Sequence, residues 1–311
     1  MDGRSFVNSS ILSITQTISS ALFIAIVYAF SNSYIYSLFL INFLQMSFEF
    51  HNDREVYFEH QDLNASKYVI PFIEEKKEIN PGLQVLEIGC GEGGVLKSFM
   101  KRDCVVTGID LSQSRLDVAA KLFEEEIKAG KADFISGDIY DVGETLKSKY
   151  DLILLKDTIE HIFNQEKLMR FLKSILKEDG KVFLGFPPWQ MPFGGHQQVS
   201  KKKIFNLLPY IHLLPNPVYR FMLKSLGNEE SFIKELLEIK ETRLSIEYFE
   251  KIIKKAGYKI DKVKFFLINP IYEMKFKLKP KEQFKIISGI PYLRNFVTTT
   301  CYYLLSVNEE K

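Results

Sequence analysis

Residues 84–94, Gln84-Val-Leu-Glu-Ile-Gly-Cys-Gly-Glu-Gly-Gly94, decide the fold: an apolar strand runs straight into a glycine-rich turn, with Glu87 two residues before the first glycine. Glycine tolerates positive φ and carries no Cβ. Gly89, Gly91 and Gly93 or Gly94 therefore let the chain turn sharply and bring bare backbone close to a nucleotide-like ligand. The amides of a helix starting near Gly93 would face that ligand. The spacing of Gly89, Gly91 and Gly94 also satisfies the dinucleotide fingerprint G-x-G-x-x-G, so the loop alone leaves two ligand classes open.

Outward from the loop, evenly spaced apolar runs follow. Val105 to Asp110 is a second strand, ending in an acid about 20 residues after the glycines, where a carboxylate accepts ribose hydroxyls. Ala132 to Ile139 is a third and contains Gly137-Asp138, which suits an acid reaching an adenine amino group. Tyr150 to Asp157 is a fourth, followed by Thr158-Ile159-Glu160-His161-Ile162, and Lys181 to Phe186 a fifth, closed by Pro187-Pro188. Helix-length amphipathic stretches separate these runs, the signature of βαβ units and a parallel sheet.

The motifs Val-Leu-Glu-Ile-Gly-Cys-Gly-Glu-Gly (85–93), Gly-Ile-Asp-Leu-Ser (108–112), Gly-Asp-Ile (137–139), Tyr-Asp-Leu-Ile-Leu (150–154), Asp-Thr-Ile-Glu-His-Ile (157–162) and Gly-Lys-Val-Phe-Leu (180–184) resemble, in order and spacing, the class I S-adenosylmethionine-dependent methyltransferases. They are most similar to the group containing the ubiquinone and menaquinone biosynthesis methyltransferases. After an interruption, Arg243-Leu244-Ser245 and Phe249 to Tyr258 resemble the family's last helix and its lead into strand six, so the pattern covers roughly residues 55 to 310. The resemblance implies an α/β, three-layer Rossmann-like fold. Its mostly parallel seven-stranded sheet would run in the order 3-2-1-4-5-7-6, with Tyr258 to Ile268 as strand six and Val297 to Val307 as an antiparallel strand seven.

Carried over by position, the resemblance implies that S-adenosyl-L-methionine is the cofactor. Glu87 would support the glycine loop, and Gly89, Cys90 and Gly91 would form the loop against its methionine part. Asp110 would bind the ribose hydroxyls, Leu111 would pack on the adenine, and Asp138 with Ile139 would read the adenine edge. Lys156 sits where the family presents backbone to the cofactor. For each there is a plainer reading: Glu87 as a loop cap, Asp110 as a strand-end turn residue, Leu111 and Ile139 as core.

Composition fits an ordinary enzyme: 311 residues, a formal charge of +2 and mixed acids and bases give no electrostatic footprint for nucleic acid. Cys90, Cys104 and Cys301 have neither metal nor disulfide spacing, so a cytoplasmic, reducing setting is expected. Two stretches depart from a simple domain. From Ser5 to Phe48 there is no Asp, Glu, Lys or Arg. Residues 1–45 read either as a membrane anchor, interrupted by Ser31-Asn32-Ser33, or as a start-site extension preceding translation from Met46; a cleaved export signal fits less well. Residues 46–311 are then the methyltransferase domain. Within it, residues 187–242 form an insertion after strand five, expected to be a helical lid over the acceptor with Gly194-Gly195 as a hinge, or else a packing or dimer surface. The connection Lys275 to Pro280 and Pro291 to Arg294 reads as extended, with no evident role.

Methyl transfer to an enolic or phenolic oxygen needs a base, since a phenol titrates near ~10. Two histidines are candidates: His161 after the fourth strand and His196 after the fifth, each with a structural alternative. Tyr57, Phe58, Trp189 and Phe193 are the candidate acceptor-side aromatics. The leading expectation is a methyltransferase acting on oxygen or carbon of a small, apolar, lipid- or quinone-like acceptor, without nucleic acid or metal. A nicotinamide-dependent oxidoreductase and a methyltransferase-fold protein that binds cofactor without catalysis are the rivals. A macromolecular amino-methyltransferase fits less well, because Lys156-Asp157-Thr158-Ile159 replaces the proline-containing clamp after strand four.

Overall fold

The near-continuous apolar runs become strands covered on both faces. In the computed structural model, which describes residues 54–146, 150–195 and 209–308, strands β1 (Gln84–Ile88), β2 (Val105–Asp110), β3 (Ala132–Ser136), β4 (Tyr150–Lys156), β5 (Leu176–Phe186), β6 (Tyr258–Ile268), β7 (Lys281–Glu282) and β8 (Thr300–Val307) form one sheet. Alternate residues on each strand serve opposite faces. Ile153, Leu155, Leu184, Tyr303 and Leu305 join one core cluster, while Leu152, Leu154, Phe183, Tyr302 and Leu304 join the other.

Helices close both layers. On one face lie α1 (Arg54–Asn64), which runs through a π turn, Ala65–Val69, into Ile70–Glu74, and α2 (Gly94–Met100). The π turn meets Pro71, whose missing N–H cannot join the i→i−4 ladder. After β2 comes α3 (Gln113–Leu122). The opposite face is covered by α4 (Gln165–Ile175), capped by the Asn164 side chain accepting from Lys167 N, and by a second helix in the last third of the chain. Before that helix the insertion contributes α5 (Asn216–Ser225) and α6 (Glu230–Thr242), then α7 (Ile246–Lys255) covers the sheet with Ile246, Phe249, Ile252 and Ile253. The Ser245 hydroxyl caps α7 by accepting from Tyr248 N.

The sheet order is β3-β2-β1-β4-β5-β8-β6-β7, with β8 antiparallel to both β5 and β6. This is the expected 3-2-1-4-5-7-6 arrangement with one correction: among the described residues the sheet has eight strands, because the two-residue β7 pairs at the outer edge of β6. The expected strand seven is β8. A second correction concerns the stretch from Lys275, expected to be extended. Its start lies in a helix, α8 (Ile271–Phe276), and Leu293 opens another short helix, Leu293–Val297.

The described part of the insertion has a core of its own. Trp189, Tyr219, Leu223, Ile233, Leu236 and Ile239 pack together. His212, fully buried, bonds through Nε2 to Trp189 O at 2.8 Å and lies edge-on to the indole. Residues 1–45 and His196 lie outside the described residues. Among the described residues no helix is long and apolar enough to cross a membrane.

Candidate active site at the glycine loop

The cleft forms where β1 and β4, adjacent and parallel, both end. Its walls include Tyr57, Phe58 and Gln61 from α1, the loop from Glu87 to Glu92, Arg115 from α3, and Lys156 and Asp157 at the exit of β4.

Gly89 and Gly91 have φ of 74° and 54°, where only glycine is at ease. Gly89 N and Cys90 N donate to Ile109 O at 2.8 and 3.1 Å, which ties the turn to β2. Asp110 completes the tie. Its Oδ2 accepts from Gly91 N and its Oδ1 from Ser112 N, each at 2.8 Å, so the carboxylate is fixed at the end of β2 and facing the loop. The space a side chain would need at either glycine is taken by the protein itself. A Cβ at Gly89 would come within 2.5 Å of Thr158 Oγ1, and one at Gly91 within 3.1 Å of the Arg115 guanidinium carbon. Arg115 in turn pairs with Glu92 at 3.1 Å.

Burial pushes the Glu87 carboxyl well above the usual carboxylate range, against the opposing pull of Lys156. Its Oε2 is buried without a hydrogen-bond partner among the described residues. Cys90 is a buried free thiol, its pKa raised by burial, so it is not an activated nucleophile. Leu111 is 76 % exposed, unusual for a leucine beside a cleft. Asp138 caps the turn after β3, its Oδ1 accepting from Tyr140 N at 2.8 Å. The Ile139 side chain is buried in the core with Leu86, Ile88 and Ile109. Lys156 turns inward to bond Asp157 Oδ2 at 2.5 Å. Burial disfavours its ammonium, but Asp157, Tyr302 and Tyr57 together outweigh burial and the pKa lies above that of an ordinary lysine. Asp157 itself has φ 53°, an unusual conformation for a non-glycine residue.

His161 occupies a single 3-10 turn, Ile159–His161, and is not part of the cleft wall. Its Nε2 lies 4.0 Å from Glu160 Oε1. Burial lowers its pKa, more than the nearby Asp157 raises it, so the ring is neutral at pH 7. Glu160 is buried with both oxygens unpartnered among the described residues, and burial, reinforced by Asp157, raises its pKa well above the usual range. Trp189 belongs to the insertion's own core rather than to the cleft. Tyr57 and Phe58 do line it.

One group carries no sequence signal. Lys275 on α8 lies with its Nζ 5.5 Å from the centre of the Tyr57 ring. Burial pulls its ammonium down to about 8, with Asp157 and Lys156 acting in opposite directions upon it. Tyr272, one turn earlier, also interacts with Asp157, and burial raises its pKa. Tyr57, Lys156 and Asp157, which line the cleft, are therefore joined from a third part of the chain by Tyr272 and Lys275, which are not part of its wall but interact with those three. Among the described residues no group of His, Cys, Asp and Glu is arranged to hold a metal ion.

Comparisons agree with this geometry. Residues 57–201 match the methyltransferase domain family. The chain is 26% identical over 140 residues to the ubiquinone biosynthesis O-methyltransferase of Coxiella burnetii, covering 45% of this chain and 58% of that protein. It is 32% identical over 114 residues to the (S)-tetrahydroprotoberberine N-methyltransferase of Eschscholzia californica, covering 35% of this chain and 31% of that protein. The matched segment thus spans a little over half of the first relative and about a third of the second. Among solved structures, a putative sarcosine dimethylglycine methyltransferase from Galdieria sulphuraria aligns with a TM-score of 0.50 at 12% identity, over 78% of this chain and 85% of that one, which supports the fold alone. With its glycine loop, its fixed Asp110 and the antiparallel β8 between β5 and β6, the chain is similar to the class I S-adenosylmethionine-dependent methyltransferases, the family match spanning residues 57–201.

Proposed function

We propose that the protein transfers a methyl group from S-adenosylmethionine to an oxygen, or a carbon, of a small apolar acceptor. The observation that carries this reading is the fixed Asp110 carboxylate facing a left-handed glycine loop, in a sheet whose β8 is antiparallel between β5 and β6. The loop and the acid alone suit a nicotinamide as well; the inserted β8 is the methyltransferase feature. Several groups fit the cofactor. Asp110 would receive the ribose hydroxyls, Leu111 offers an uncovered apolar surface for the adenine, and the unpartnered Oε2 of Glu87 lies under the loop. Asp138 and the backbone of Ile139 would read the adenine edge, and Gly89 to Gly91 would border the methionine part. The core position of the Ile139 side chain leaves only its backbone for that role.

When bound, the sulfonium supplies an activated methyl group, and the chain's task is alignment and removal of the acceptor's proton. We assign the proton to Lys275, which lies beside the cleft-lining Tyr57. As a neutral amine it would take the acceptor O–H proton while Tyr57 and Phe58 enclose an apolar ring. This role joins His161 and His196 as an acceptor-side assignment. The insertion, residues 187–242, would close over the acceptor as a lid, and residues 1–45 would be either a membrane anchor or a start-site extension. The O-methyltransferase named among the relatives favours oxygen, and an acidic hydroxyl suits a lysine base.

Incubating the full chain with methyl-labelled S-adenosylmethionine and a lipid and quinone extract tests the reading. Label in an organic-soluble product, lost in Asp110→Ala, is expected. Label confined to protein or RNA, or no transfer from a chain that binds the cofactor, would overturn it.

A further inference from the structure

The segment joining α8 to β8 is firmly held yet turns apolar side chains outward. At one end Gln283, 7% exposed, donates through Nε2 to Val297 O at 2.7 Å, and its N–H donates to Phe265 O at 2.8 Å. At the other, Asn295 and Arg294 bond Glu247, and Tyr292 N donates to Glu247 Oε1 at 2.9 Å. Between these anchors Phe284 is 52%, Ile286 82%, Ile290 42% and Tyr292 70% exposed. An anchored backbone that leaves four large apolar side chains in water, all between positions 284 and 292, differs from a scatter of single surface hydrophobics. Tyr292 is held at φ 65°, a conformation an aromatic residue rarely adopts, and it stands outward there.

The acids beside these side chains, Glu247 and Glu282, are paired with Arg294 and Lys264, which leaves lysines as the unpaired charges there among the described residues. Lys279, Lys281 and Lys285 are exposed, and the neighbouring acid, Glu282, is engaged by Lys264 at 2.7 Å. No ion pair among the described residues engages the three lysines. Lys281 lies 4.8 Å from the centre of the Phe284 ring, so cation and apolar surface are interleaved. In a chain of net charge +2 with mixed charges elsewhere, this is a local basic and apolar face. Basic side chains around exposed aromatic and aliphatic ones match a bilayer with anionic headgroups, where the cations meet phosphate and the apolar groups enter the acyl boundary. A second protein copy would meet the same lysines as like charge.

We infer that the face formed by Phe284, Ile286, Ile290 and Tyr292 with Lys279, Lys281 and Lys285 docks the protein on anionic lipid bilayers. It does so independently of residues 1–45 and of methyl transfer.

Co-flotation of the full chain with vesicles tests this. One set is phosphatidylcholine alone and the other contains phosphatidylglycerol. Two triple variants are compared with the wild type: Phe284→Ser/Ile286→Ser/Tyr292→Ser and Lys279→Glu/Lys281→Glu/Lys285→Glu. All six positions are exposed, and an unchanged thermal transition verifies folding. The wild type is expected to prefer anionic vesicles and to release with salt, and each variant to bind them at least about tenfold more weakly. Absence of wild-type binding, equal binding to both vesicle types, or variants that bind as the wild type does would each overturn the inference. So would variants that change only the oligomeric state.

Discussion

The two sides of the cleft are built differently. On the cofactor side, the key contacts lie within one contiguous stretch: the amides of Gly89, Cys90 and Gly91 are tied to the Ile109 carbonyl and the Asp110 carboxylate. On the acceptor side, Tyr57, Lys156, Asp157, Tyr272 and Lys275 meet only because α1, β4 and α8 are brought together by the fold. The first side is a local motif, fixed by φ angles and peptide hydrogen bonds. The second is a tertiary assembly of burial and charge, free to differ between relatives sharing the first. Substitutions on the two sides should separate accordingly, the cofactor side changing cofactor affinity and the acceptor side changing turnover.

The largest separation is expected at Lys275. Lys275→Met should lower kcat by ~10²-fold or more, the usual contribution of a general base, while leaving S-adenosylmethionine affinity unchanged. In the wild type kcat/KM should rise with pH through about 8, because only the neutral amine accepts a proton, and that inflection should vanish in the variant. A variant that loses cofactor affinity instead would merge the two sides. Asp110→Ala is the converse. Removing an acceptor of charge-assisted hydrogen bonds should weaken cofactor binding by ~10- to 100-fold, read by calorimetry.

Gly89→Ala should destabilise the fold by ~1–3 kcal/mol in denaturant titration, since it combines positive φ with a contact of 2.5 Å to Thr158 Oγ1. Adding Thr158→Ala relieves only the contact and should restore part of the loss; full restoration would mean that backbone conformation contributes nothing. The smallest effect is expected at Leu111. Leu111→Ala should reduce cofactor affinity about fivefold through lost apolar contact, with folding stability unchanged within ~0.5 kcal/mol because the side chain is exposed.

This asymmetry also governs what was legible in the sequence. The parallel strands and the acid at the end of β2 could be read because apolar runs, glycine spacing and strand-end acids are local signals, whereas the sheet order came from the resemblance to the methyltransferase family. The edge strand β7 could not, since Lys281-Glu282 has no apolar pattern and exists only by pairing with Phe266 and Ile268. The extended reading from Lys275 to Pro280 overlaps α8 only at Lys275 and Phe276, because the helix occupies mainly the residues before them. Lys275 itself looks like any solvated lysine until α8 packs beside α1. Trp189 looked like an acceptor contact from its place after β5, and the insertion's own core claimed it instead.

The central claim is that the Asp110 and glycine-loop cleft holds a sulfur nucleotide. Calorimetric titration of the full chain with S-adenosylmethionine, S-adenosylhomocysteine and NAD tests it most directly. Both sulfur nucleotides should bind, more weakly in Asp110→Ala, and NAD should not; binding of NAD, or of none of the three, would contradict the assignment.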